Sequence, residues 1–122
     1  MENEKNAVKK ETGLGTIRVA DEVVSIIAGL ATTEVEGIAE ILGRKNFSKG
    51  VKVEVGEKEA AVDLYIIVKY GIRIPEVALA AQENVKRAIE AMTGLTVVEV
   101  NVHVQGVGFP EEEPKAEEVR VR

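Results

Sequence analysis

Cysteine is absent from the 122 residues, so disulfides, thiolate metal sites and cysteine nucleophiles are excluded outright. Histidine occurs once, at His103. A transition-metal site needs three or four convergent His, Cys or carboxylate ligands, and one His with distant glutamates falls short. A Ser–His–Asp triad would have to use that same residue, and neither Ser25 nor Ser48 stands in a nucleophile motif. No apolar run approaches the roughly 18 to 20 residues that span a bilayer, and the N-terminus lacks the apolar core of a secretory signal. The expectation is a cytoplasmic, non-enzymatic protein with no cofactor, no metal and no direct transmembrane insertion. Internal repeats and low-complexity tracts are also missing.

What is present suits one small domain. Hydrophobic residues make up 45% of the chain, enough for a single α/β core and too little chain for two. The ends differ from the middle. Residues 1–12 and 110–122 are polar and charged and lack apolar periodicity, which predicts flexible tails around a domain over 13–109. The formal net charge is −5, with 16 basic and 21 acidic residues. Five Glu against Lys115, Arg120 and Arg122 place −2 of it in the C-terminal tail, and the first 12 residues balance. A mildly acidic middle disfavours nucleic acid, whose affinity comes mostly from Lys and Arg replacing phosphate counterions.

Periodicity then orders the elements. Gly15 to Ala20 reads as a short strand with Ile17 and Val19 on one side and Arg18 on the other. Val23, Ile26, Ile27, Leu30 and Ala31 fall on one helical face. Gly37 to Gly43 reads as a short extended piece, followed by a polar loop over Arg44 to Gly50. Val51 to Val55 alternates with period two. After a turn at Gly56, Val62, Leu64, Ile66, Val68 and Tyr70 share one face of a second strand, with Asp63, Tyr65, Ile67 and Lys69 on the other. Apolar residues on both faces predict a central strand, covered on both sides or by an oligomer partner.

Pro75 suits a helix start, and Val77, Ala81, Val85, Ala88, Ile89 and Met92 mark a long stripe running toward Gly94. Val98, Val100, Val102 and Val104 then alternate with Glu99, Asn101, His103 and Gln105 in a last strand. The predicted fold is α+β: a small, mainly antiparallel sheet with two helices packed on one face, in the order β-α-β-β-β-α-β.

Two surfaces invite interaction. Arg44, Lys45 and Lys49 surround Phe47, a basic patch with one aromatic that could take phosphate, lipid headgroups or an acidic partner; the plainer reading is a loop anchored by Phe47. Tyr65 and Ile67, with Ile72 and Ile74 beyond, form an apolar second face that is either further core or a contact surface. His103 reads as a solvated strand histidine, and Gly106-Val-Gly108 as a strand exit without the lysine of a phosphate loop.

The order of these segments resembles the alkaline shock protein family of Gram-positive bacteria, over about Gly15 to Phe109. The resemblance is carried by Gly15-Thr-Ile-Arg-Val-Ala-Asp-Glu-Val-Val24, Glu34-Val-Glu-Gly-Ile38, Lys49-Gly-Val-Lys-Val-Glu-Val55, the strand from Val62 to Ile74 leading into Pro75, and Val85 through Val104. Ala20 stands where the family carries Ser, which weakens that helix cap. The resemblance implies a cytoplasmic cell-envelope and general stress response protein. Such a protein acts as a scaffold or adaptor through protein–protein contacts, as a homo-oligomer or on a membrane-anchored partner, with no catalytic residues to carry over. The alternative is a regulatory module that binds nucleic acid or a small ligand.

Overall fold

The computed structural model describes residues 7–41 and 50–109. Its elements are strands β1 (Ala7–Thr12) and β2 (Gly15–Ala20), helix α1 (Asp21–Thr33), strands β3 (Ile38–Ile41), β4 (Val51–Val55) and β5 (Glu59–Lys69), helix α2 (Ile74–Thr93) and strand β6 (Thr96–Gly108). From Gly15 onward this is the expected α+β order. One further strand precedes it: Ala7–Thr12, within the stretch read from sequence as a tail, pairs antiparallel with β2 from Ala7↔Ala20 to Thr12↔Gly15. Lys9, Lys10 and Glu11 hid this strand from any apolar count.

The main sheet is organised around β5. Parallel β6 runs along its whole length, from Glu59↔Thr96 to Lys69↔Gly108. That leaves one edge of β5 for two antiparallel partners placed end to end: β4 beside Ala60 to Leu64 and β3 beside Ile66 to Val68. A parallel pair needs a long crossover, and the 20-residue α2 supplies it.

Both helices cover one face of this sheet. Ala60, Val62, Leu64, Ile66 and Val68 are buried there with Val24, Ile27, Ala28 and Ala31 of α1 and Ala81, Val85 and Ile89 of α2. Each fully buried branched aliphatic contributes about 1.5–3 kcal/mol. The buried stripe of α1 is rotated by one residue from the expected one. Val24, not Val23, faces the core, and Leu30 is 53% exposed. Two apolar stripes fit the same 3.6-residue period. The one chosen carries Ala28, Gly29 and Ala31, whose small side chains let α2 approach closely enough for Asn84 Nδ2 to donate to the Ala31 carbonyl at 2.8 Å. Buried Thr32 donates its hydroxyl to the Ala28 carbonyl at 2.8 Å, which satisfies its buried donor.

α1 begins at Ala20 without a side-chain cap, as its residue type predicts, while Asp21 and Glu22 favour the first turn electrostatically. Past α1, Gly37 adopts φ +104° and a Cβ there would lie 2.7 Å from Val77 Cγ2, so only glycine lets β3 start against α2. On α2, Met92 lies outside the buried stripe.

Candidate functional site

Among the described residues, the other face of the sheet carries no helix. Alternation along β5 turns Ala61, Asp63, Tyr65 and Ile67 to this side, where they are half-buried, against full burial of their neighbours. The parallel register brings β6 residues beside them: Glu99 at Ala61, Asn101 at Asp63, His103 at Tyr65 and Gly106 at Ile67. On the opposite flank Lys52 pairs with Asp63, Glu54 with Ala61 and Glu40 with Ile67. Tyr65 and Ile67 are therefore second-face residues of the central strand, as the sequence reading anticipated.

These neighbours interact. The Tyr65 and His103 rings are stacked, with centroids 4.5 Å apart and planes 12° from parallel. His103 Nε2 lies 3.1 Å from Asp63 Oδ1. Asn101 Nδ2 donates to Glu99 Oε2 at 3.0 Å. Ile67 Cδ1 stands 3.0 Å from where a Cβ would sit at position 106, so Gly106 makes room for the isoleucine to lie across β6. The result is a short row of Asp63, His103, Tyr65 and Ile67 across the middle of the open face. His103 is thus partnered as well as solvated, its side chain 41% exposed.

The alternation expected in β6 is broken at its start. A bulge between Val97 and Glu99 buries Val97 and leaves Val98 55% exposed. Only after it do Val100, Val102 and Val104 face the helices.

The outer edge of β6 is treated differently along its length. Near its start, α2 side chains bond the backbone: Glu90 Oε2 accepts from the Val97 N–H at 2.9 Å, and Lys86 Nζ and Gln82 Nε2 donate to the Val97 and Val100 carbonyls at 3.4 and 2.9 Å. The Lys86 ammonium, 2.7 Å from Glu90 Oε2, and then the Val97 N–H hold the Glu90 carboxyl below its usual range, outweighing the opposing effect of desolvation.

Among the described residues, no group of three or more His, Asp or Glu side chains is gathered as a metal site would require. No described helix is long and apolar enough to cross a membrane. The basic patch of Arg44, Lys45, Phe47 and Lys49 lies outside the described residues. The tail over 110–122 lies outside them as well.

A sheet with one face buried under two helices, and no described helix on the other, defines a small α+β domain. The chain belongs to the alkaline shock protein 23 family, described as having a cell envelope-related function, whose model matches residues 9–109. It is 37% identical to the uncharacterized protein YqhY of Bacillus subtilis (strain 168), over 92% of this chain and 89% of that protein. It is 32% identical to a stress response regulator gls24 homolog of Streptococcus pyogenes serotype M3, over 80% of this chain and 62% of that protein. Among solved structures, a MamM C-terminal-domain variant matches with a TM-score of 0.48 and 15% identity, over 70% of this chain and 95% of that one.

Proposed function

We propose that this protein is a non-enzymatic, cytoplasmic cell-envelope and general-stress component. It works as a scaffold or adaptor, docking through the open sheet face centred on Tyr65 and Ile67, with a membrane-anchored protein among its partners. The observation that carries this reading is the central strand itself. β5 is the most enclosed strand of the fold, yet two of its large side chains stand half-buried on a face without a helix, where a partner would complete their burial. Five carboxylates share that face among the described residues, from Glu40, Glu54, Glu59, Asp63 and Glu99, against Lys52 and Lys69. That balance favours a protein partner over a phosphate backbone, which recruits cationic surfaces.

The test is a double substitution, Tyr65→Ser with Ile67→Ser, followed by circular dichroism and affinity capture from native lysate. The expected outcome is a folded protein that has lost the partners held by the wild type. Global unfolding would make these residues core, and an unchanged partner set would move the contact elsewhere. Within the same reading, Arg44, Lys45, Phe47 and Lys49 form a secondary contact. Charge reversal of Lys45 and Lys49 that left partner and anionic-vesicle binding unchanged would remove it.

A further inference from the structure

Among the described residues, β1, β2, β3, β4 and β6 each keep one edge without a strand partner, and two of these edges stand out. The first is the outer edge of β6. Thr96 and Gly108 both bond toward β5, through the Lys58 carbonyl and the Tyr70 N–H, whereas the Val100 carbonyl turns away to Gln82. With that alternation, Val102 and Val104 point their N–H and C=O groups outward. Among the described residues nothing bonds to them. The run from Glu99 to Val104 lies between two bulges, and no proline or lysine guards it. The second open edge belongs to the β1–β2 ribbon. It forms its own two-stranded sheet, a size marginal in water without further support. Its tip residue Leu14 is fully exposed and Ile17 is 56% exposed.

We propose that β2 pairs with the outer edge of β6 in a second copy of this chain, so that two copies exchange ribbons. Three features select that occupant. The regular run of β6, Glu99 to Val104, is six residues and so is β2, so the strands match in length. Their alternation matches too: exposed Ile17 would extend the row of Val102 and Val104 on the helix side, and Arg18 would join the Glu99, Asn101 and His103 row on the open side. Charge adds attraction, since residues 7–20 carry a net +2 and residues 21–109 a net −4. A reciprocal exchange closes both edges with one contact used twice, the usual logic of a two-fold dimer. This contact lies at a sheet edge and does not involve burial of Tyr65 or Ile67.

Light scattering on the eluting full-length chain tests it. The wild type is expected at twice the chain mass. Ile17→Glu, which alters only the ribbon, should weaken association about ten- to hundredfold, the effect of withdrawing one branched aliphatic side chain and adding a like charge. Val104→Pro removes an outward N–H without touching the β5 ladder and should act alike. Mixing the two variants should restore a heterodimer, because one copy keeps a sound ribbon and the other a sound edge. A monomeric wild type, an Ile17→Glu protein that dimerises as the wild type does, or a ribbon that binds anionic vesicles in place of a second copy would overturn the proposal. Tyr65→Ser with Ile67→Ser should leave the dimer intact, which separates this contact from the open-face reading.

Discussion

The two faces of β5 are built from the same strand and meet different demands. Toward the helices, Ala60, Val62, Leu64, Ile66 and Val68 leave at most 1% of their surface exposed. Away from them, Ala61, Asp63, Tyr65 and Ile67 are half-buried and include a carboxylate in contact with His103 and an aromatic ring. The first face has to exclude water to hold the fold together. The second is free to carry polar groups because water still reaches them, and that freedom is what a contact surface needs.

The sharpest way to break the comparison is to cut one residue from the covered face. Leu64→Ala should cost about 2–5 kcal/mol, the range for a buried leucine that leaves a cavity, read from the midpoint of urea unfolding. On the open face the same measurement should respond much less. His103→Ala removes the ring stack on Tyr65 and the bond to Asp63, both partly in water, and should cost about 0.5–1.5 kcal/mol. A double-mutant cycle with Tyr65→Ala should recover a coupling energy of the same sign. If His103→Ala were as damaging as Leu64→Ala, the open face would be core.

The smallest effect belongs to Glu90 at the sheet edge. Its carboxyl is held below the usual range in the folded protein by Lys86 and the Val97 N–H. The linked stability is therefore present above the ordinary carboxylate range and is lost as the pH falls through the lowered value. Glu90→Gln should flatten that acidic slope while leaving the covered and open faces alone, as measured by melting temperature between neutral and acid pH.

Much of this architecture was readable from residue order. The period-two runs at Val51–Val55 and Val62–Val68, the 3.6-residue stripe of Ala81, Val85 and Ile89, and the punctuation at Pro75 and Gly94 located their elements. The misplacements share a cause. Val23 and Val24 satisfy the same helical period, so only packing of small residues against α2 decided between them. Val98 kept the valine alternation in sequence but lost it to a bulge. The strand at Ala7–Thr12 has no apolar pattern, since most of its pairing is backbone to backbone. Of the candidate site, Tyr65 and Ile67 were visible as apolar residues on the wrong face of a strand. The His103 stack was invisible, because nothing local announces that β6 lies parallel to β5 in this register.

Sequence alone determined what the protein cannot be built to do with thiols or a cluster of histidines, and which stretches would be strand or helix, because those depend on residue type and short-range spacing. Tertiary structure decided which apolar stripe is buried, which edge of β6 is bonded by α2 side chains, and that Asp63, His103 and Tyr65 meet across two strands 40 positions apart. Such choices depend on distances between segments that no local pattern encodes, and they are settled only when the layers close on one another.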